Sequence, residues 1–250
     1  MSPLDPSVLG RHEKIALAYS GGKDSTACVY LLREHLDAIT LYHVDTGDLL
    51  PEMRAAVSRV EAFAPHFVRI ETHVLDWIDR FGLPSDLLPY SAHPVGRLMG
   101  EPGGNLVARY DCCYTNLMWP LFKRVADDGN TLLIRGTKRV DMPKLPMKSG
   151  DVADNVELYY PLEEWTNDEV FAYLRDQGVE VPRVYEHVTN SPECARCTAW
   201  LGEGRARYLK KYYPELFAEY DDRLQHVINA IAPSLALLRF EALTALEVEG

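Results

Sequence analysis

Six consecutive residues, Ser20, Gly21, Gly22, Lys23, Asp24 and Ser25, carry the chemistry of an anion cradle. Two glycines let the backbone come close to phosphate oxygens. A helix starting there presents free N–H groups and the positive end of its dipole. Ser20 and Ser25 add hydroxyl donors, and Lys23 adds a mobile positive charge. Asp24 is placed either to cap that helix or to help hold Mg²⁺. Neither G-x-x-x-x-G-K-(S/T) nor G-x-G-x-x-G occurs in the chain, so the loop is not of the commoner nucleotide-binding kinds. A lone Gly-Gly pair is usually a plain turn; a six-residue match between a strand and a helix is much harder to read that way.

The second chemical group is the cysteines. There are five: Cys28, Cys112, Cys113, Cys194 and Cys197. The N-terminus shows neither a basic start nor an apolar stretch, so the sequence predicts no export signal, and the odd count argues against a disulfide framework. Four of them form two close pairs, Cys112 with Cys113 and Cys194-x-x-Cys197. Paired thiolates are what zinc or an iron–sulfur cluster requires, and a redox disulfide at Cys194 and Cys197 is a lesser option. Adjacent cysteines suit a mononuclear zinc site poorly. Cys112 and Cys113 are expected to open a helix after Asp111, where the helix N-terminus would favour their thiolates. Cys28 falls on the apolar face of the first helix and reads as a small core residue.

These groups need a scaffold. The 250 residues, 47% hydrophobic and 25% charged, have the composition of a globular chain and not of a disordered one. No uninterrupted apolar run approaches the ~20 residues of a membrane-spanning helix, so no membrane association is expected. A net charge of −11 disfavours a broad nucleic-acid-coating surface. Together these features point to a cytoplasmic protein.

Buried strands are expected at 14–19, 38–44, 66–70, 131–135 and 157–160, alternating with helices at about 24–35 and 51–63. That alternation predicts an α/β fold, a doubly wound, mostly parallel five-stranded sheet with helices on both faces. Residues 84–110, rich in proline and glycine, show no period and read as a long functional loop. Beyond about 181 the strands stop and helical patterns cover 204–220 and 222–247. The expected division is a nucleotide-binding domain over 1–180 and a helical C-terminal extension over 181–250 carrying Cys194 and Cys197. Thr166 with Glu169 forms a capping box.

The S-G-G-K-D-S string after the first strand resembles the PP-loop of the ATP pyrophosphatases, or adenine nucleotide alpha-hydrolases. Three further segments narrow the resemblance to the phosphoadenosine phosphosulfate (PAPS) reductase family. They are Asp45-Thr46-Gly47 at the end of the second strand, Arg135-Gly136-Thr137-Lys138-Arg139 at the end of the fourth, similar to that family's G-x-R, and Pro161-Leu162-Glu163-Glu164-Trp165-Thr166. The cysteine pattern resembles the 4Fe-4S site of assimilatory adenylylsulfate (APS) reductases, with zinc as the alternative metal.

The resemblance implies that Ser20, Gly21, Gly22, Lys23, Asp24, Ser25, Asp45, Thr46, Gly136, Thr137 and Arg139 bind the nucleotide. It also implies that Lys23, Asp24 and Arg139 act in catalysis, and that Cys112, Cys113, Cys194 and Cys197 hold the cluster. The family's nucleophilic cysteine, in a C-terminal E-C-G-(L/I)-H, has no counterpart: no cysteine follows Cys197. The anion loop is intact. Together these imply Mg²⁺-dependent cleavage of ATP to AMP and pyrophosphate, adenylating an acceptor for sulfur transfer, with a cysteine desulfurase as a natural sulfur donor. DNA phosphorothioation is one example of such chemistry. The alternatives are an APS or PAPS reductase acting on an adenosine sulfonucleotide with an external thiol, an ATP sulfurylase-like adenylyltransferase, and a non-catalytic nucleotide-sensing subunit. A nucleic-acid acceptor is possible through Arg205, Arg207, Lys210 and Lys211 interleaved with Tyr208, Tyr212 and Tyr213, although a solvated amphipathic helix is the plainer reading.

Overall fold

The computed structural model describes residues 6–99, 105–141, 148–188 and 193–247. Among them are eight strands: β1 (Ile15–Ala18), β2 (Ile39–Asp45), β3 (Phe67–Glu71), β4 (Leu83–Ser85), β5 (Leu106–Ala108), β6 (Leu132–Ile134), β7 (Val152–Ala153) and β8 (Val156–Tyr159). The chain divides into two compact units that are interleaved in sequence rather than cut at residue 180. One comprises Met1–Thr72, Leu117–Glu186 and Ser191–Glu193; the other comprises His73–Asn116, His187–Asn190 and Cys194–Gly250.

The first unit is a six-stranded sheet in the order β3-β2-β1-β6-β8-β7. All neighbours are parallel except β7 with β8, which form a short antiparallel edge at Val152 and Ala153 that the sequence reading did not include. In register, Leu17 of β1 lies between Leu41 of β2 and Ile134 of β6. Both faces of the sheet are covered, so its strands read as continuous apolar runs. Ile15, Leu17, Leu41 and Ile134 pack on one face with Ala27, Val29, Val57, Val60 and Leu174 from the helices Lys23–Leu31, Pro51–Glu61 and Asn167–Asp176. Ala16, Tyr42, Leu133 and Leu158 pack on the other with Val125 of the helix Trp119–Asp127.

Cys28 is fully buried in the first of these clusters, and burial drives its thiol pKa far upward, as expected of a core residue. The first helix ends at Leu31, short of the expected His35, and the chain continues as a 3-10 turn over Arg33–Ala38. The capping box at Thr166 and Glu169 is present: the Thr166 hydroxyl accepts the Glu169 N–H at 3.2 Å and the Glu169 carboxylate accepts the Thr166 N–H at 2.8 Å.

The second unit contains most of the stretch expected to be a long loop. That stretch holds β4 and β5, which pair in parallel, a short helix at Pro94–Leu98, and the start of the helix Arg109–Cys113. Proline and glycine there mask strands of only three residues, too short for alternation to show. Its core joins Val74, Ile78, Leu83, Leu106 and Cys112 to Val227 and Ile231.

The C-terminal pattern forms the helix Arg205–Tyr212 and then one helix, Pro214–Glu247, instead of two helices meeting near 221. The longer helix is exposed at Leu235, Leu237, Leu238, Phe240 and Leu243. Residues 214–244 are long and apolar enough to cross a membrane by length and composition alone, although no apolar run within them is uninterrupted over that length. Arg239 and Glu241 lie within that helix, and each would cost a few kcal/mol near a bilayer centre.

Candidate functional site

β1 sits where the strand order reverses, between β2 and β6. Loops leaving the carboxyl ends of two such strands diverge and open a crevice. The phosphate loop leaves β1 there, and the Gly136 segment leaves β6. Gly21 has φ of +81°, the left-handed region that glycine tolerates, and a Cβ on it would stand 2.6 Å from Val57 Cγ2. A Cβ on Gly136 would stand 2.7 Å from the Asp24 carbonyl carbon, so β6 can meet the phosphate loop only through glycine.

Inside the loop the two serines brace each other. Ser20 Oγ and Ser25 Oγ are 3.2 Å apart, Ser20 Oγ accepts the Gly22 N–H at 3.3 Å, and Ser25 Oγ donates to the Gly22 carbonyl at 3.1 Å. Gly22 is the N-cap and no side chain caps the helix, so Asp24 does not serve as a cap. The Lys23 N–H donates to the Tyr185 hydroxyl at 3.1 Å.

Asp24 is instead the centre of a charge chain. Lys23 Nζ lies 2.6 Å from its Oδ2 and Lys138 Nζ lies 2.5 Å from its Oδ1; Lys138 also reaches Asp141 at 2.8 Å. Lys23 is 5% exposed and Lys138 fully buried. Burial lowers the Lys23 pKa, outweighing the Asp24 carboxylate that pulls it up. Burial also pulls on Lys138, but Asp24 and Asp141 outweigh it and hold its pKa above the ordinary value. The Lys23 ammonium also lies 5.7 Å from the Tyr185 ring centre and 5.8 Å from that of Phe171.

The remaining first-unit candidates take several places. Asp45 ends β2, with its carboxylate held by the Gly47 N–H at 3.0 Å and Arg69 at 2.9 Å. Burial would raise its pKa, but these partners and Arg54 hold it below the ordinary value. Thr46 is buried and donates to the Glu193 carbonyl at 3.4 Å. Thr137 is half-buried beside Gly136. Arg139 points to the surface and pairs with Glu163 at 2.7 Å and Glu164 at 2.9 Å, while its neighbour Lys138 turns inward. Arg135, Lys138, Arg139, Lys144 and Lys148 make a locally basic stretch in the sequence, of which Lys144 lies outside the described residues. Sequence reasoning missed the distinction between Lys138 and Arg139, adjacent cations with nothing in the string to say which is buried.

All four paired cysteines fall in the second unit, and none is joined in a disulfide. Cys112 and Cys194 belong to one apolar cluster. Cys112 and Cys113 are the fourth and fifth residues of a helical run that starts at Arg109, two residues earlier than expected, and passes without a break into the π turn Tyr114–Met118, so they lie near its start. Burial pushes the Cys112 thiol up to about 12, with the neighbouring Cys113 and Cys197 adding to the shift. Burial likewise raises Cys197, against the Arg205 guanidinium.

Arg205 is buried, contrary to its expected place on a basic surface. Its Nη1 donates to the Cys194 carbonyl at 2.6 Å and the Cys197 carbonyl at 3.2 Å, and its charge is matched by Glu203 at 2.6 Å. Tyr208 of the same patch is buried as well. Among the described residues no three His, Cys, Asp or Glu side chains are arranged to hold a metal ion. The donor set nevertheless fits a thiolate-ligated cluster in kind: four cysteines outside any disulfide, Cys112 close enough to Cys113 and Cys197 to feel both, and a buried cation on the loop that carries two of them.

Residues 14–77 match the phosphoadenosine phosphosulfate reductase domain model, a span that runs from β1 through the phosphate loop and β3. The chain is a relative of the phosphoadenosine phosphosulfate reductase family. It is 25% identical over 201 residues to an adenosine 5'-phosphosulfate reductase of Allochromatium vinosum, covering 77% of this chain and 71% of that one. Over 107 residues it is 33% identical to an adenosine 5'-phosphosulfate reductase of Mycobacterium tuberculosis, covering 41% of each. Among solved structures the fold is shared with the U34-tRNA thiolase NcsA of Methanococcus maripaludis with its 4Fe-4S cluster, at 19% identity, a TM-score of 0.50, and coverage of 90% of this chain and 76% of that one.

Proposed function

We propose that this member of the phosphoadenosine phosphosulfate reductase relatives is an ATP pyrophosphatase that adenylates an acceptor for sulfur transfer and carries an iron–sulfur cluster. The observation that carries the reading is the uncapped helix start at Gly22 with two buried lysines converging on Asp24. A lysine that can leave its carboxylate at a helix start, while a second lysine keeps that carboxylate paired, suits a β,γ-diphosphate, whose charge can replace Asp24, better than a single sulfate.

On binding Mg²⁺-ATP, Lys23 exchanges the Asp24 carboxylate for the phosphate tail, while Lys138 stays with Asp24 and Asp141. The loop amides, Ser20, Ser25 and Lys23 stabilise the charge that develops on pyrophosphate as the bond beyond the α-phosphorus breaks. The acceptor oxygen takes that phosphorus, giving an adenylate from which a sulfur nucleophile displaces AMP. Gly136 and Thr137 line the nucleotide crevice, and the buried Thr46 shapes the turn beside it. Asp45 acts there through the turn it holds at Gly47. Arg139, committed to Glu163 and Glu164, contributes at the rim.

Cys112, Cys113, Cys194 and Cys197 would hold a 4Fe-4S cluster, with zinc as the alternative; bound there, the cluster supplies a site that positions or carries sulfur. The U34-tRNA thiolase of the same fold is named with such a cluster, and a nucleic-acid acceptor and a desulfurase partner in the cytoplasm follow the same logic.

A second reading, reduction of an adenosine sulfonucleotide with an external thiol, is favoured by the names of the relatives at 25% and 33% identity. Anaerobically purified protein given Mg²⁺-ATP, and separately adenosine 5'-phosphosulfate with a thiol reductant, separates the two. Pyrophosphate and AMP from ATP support the proposal. Sulfite from the sulfonucleotide without pyrophosphate from ATP replaces it with the second reading. Iron and acid-labile sulfide in the same preparation test the cluster, and a colourless zinc protein removes it.

A further inference from the structure

The two cysteine pairs are about eighty residues apart in sequence, yet one carboxylate touches the segment beside each. Asp86, just after β4, accepts the Trp200 N–H at 3.0 Å and the Leu201 N–H at 3.2 Å on Oδ2. Its Oδ1 pairs with Arg109 Nη1 at 3.1 Å. Arg109 stands three residues before Cys112, and Trp200 three residues after Cys197. The same guanidinium stacks on the Trp200 ring, 3.9 Å from its centre, so the link is closed a second time. Trp200 is held at φ of +63°, a left-handed conformation that a bulky residue adopts only when its surroundings impose it. Beside it the Thr198 hydroxyl donates to the Pro84 carbonyl at 2.6 Å, tying the Cys197 loop to the strand that leads to Asp86.

We propose that Asp86 is a positioning residue that fixes the spacing between the Cys112–Cys113 helix and the Cys194–Cys197 loop, with Arg109 and Trp200 as its two arms, so that metal loading has only to turn nearby thiols and not to bring two segments of chain together. This rests on the reading of the four cysteines as one site. A flexible pair of cysteine segments would lose conformational freedom only when metal bound, which weakens and slows loading; a clamp set in the folded chain removes that cost beforehand. The carboxylate serves the role better than a neutral group because it takes two backbone N–H groups and a guanidinium at once.

Two measurements test it, one of which needs no metal. In the metal-free protein, brief diamide oxidation followed by peptide mapping should give a disulfide joining Cys112 or Cys113 to Cys194 or Cys197, alongside the Cys194–Cys197 disulfide. Asp86→Ala should lower the ratio of cross-pair to within-pair product at least fivefold. Asp86→Asn, which keeps an acceptor for the loop amides but loses the pairing charge, should fall between. Asp79→Ala, on an exposed helix position of the same unit, should match wild type. The melting temperature of the metal-free Asp86→Asn protein should stay within a few degrees of wild type, and its reconstituted form should release iron to a chelator several times faster. An unchanged cross-pair ratio in both Asp86 variants, or a wild-type chain that forms no cross-pair disulfide, overturns the proposal. If the ratio falls as expected but wild type takes up no iron, the clamp stands and the cluster assignment is what fails.

Discussion

The phosphate loop and the cysteine pairs balance charge in opposite ways. At the loop, Lys23, Lys138, Asp24 and Asp141 neutralise one another within the folded chain, so the unit carrying them is electrostatically complete without substrate. At the cysteines, burial favours the protonated thiols of Cys112 and Cys197, and the nearby cation, Arg205, is already matched by Glu203. The first site must therefore break an internal ion pair to admit an anion, which selects for a ligand bringing enough charge to replace Asp24. The second must lose protons to admit a metal, which makes loading a coupled event.

The largest expected effect breaks the loop's internal balance. Lys138→Met leaves the Asp24 and Asp141 carboxylates facing each other across an apolar side chain. Removing one partner of a buried charge network typically costs about 3 kcal/mol or more. Partial exposure of the two carboxylates, 23% and 35%, moderates that figure. Urea unfolding should show a loss of about 2–3 kcal/mol, and pyrophosphate binding should fall at least a hundredfold. Arg139→Met, at 59% side-chain exposure, should change stability by less than about 1 kcal/mol. Equal losses in the two variants would erase the distinction between the inward and outward cations.

Gly136→Ala comes next. The added methyl would stand 2.7 Å from the Asp24 carbonyl carbon, and overpacking of this kind costs about 1–3 kcal/mol. The displaced loop should lose pyrophosphate affinity more than tenfold by calorimetry, while the thiol reactivity of Cys112 and Cys197, in the other unit, stays as in wild type. A variant that binds pyrophosphate normally would mean that β6 does not constrain the loop.

Much of this arrangement was legible in the string because it is local. The strand before Ser20, the two glycines, the helix after them and the box at Thr166 are set by consecutive residues, and each appears where the pattern put it. What was not legible depends on side chains meeting across the chain. Lys138 and Arg139 are interchangeable on paper; only the proximity of Asp24, more than a hundred residues away, turns one inward. Arg205 reads as one of four surface cations until the Cys194 and Cys197 carbonyls are seen to hold it. The helix starts at Arg109 rather than Asp111, and it is burial, which no string of residues displays, that raises the Cys112 thiol against the helix start. Three-residue strands such as β4 and β5 carry too few positions for alternation to be visible.

The smallest effect is also the most diagnostic of how the loop works, because it separates the two lysines by their titration. Burial depresses the Lys23 pKa below its ordinary 10.5, whereas Asp24 and Asp141 raise that of Lys138. Only a protonated Lys23 can exchange Asp24 for a phosphate, so pyrophosphate affinity should decline as pH rises through its depressed pKa, while Lys138 remains charged throughout. Binding should take up protons over that range, since the bound anion raises the lysine's pKa again, with a limiting slope of about tenfold in affinity per pH unit. Lys23→Arg, which cannot deprotonate there, should flatten the profile up to pH 10 even if its overall affinity is lower. Lys138→Arg should leave the slope unchanged. Calorimetry between pH 7 and 10 in buffers of different ionisation enthalpy measures both the affinity and the proton uptake; a wild-type profile that runs parallel to that of Lys23→Arg, with no difference in proton uptake, would mean that the anion does not depend on Lys23.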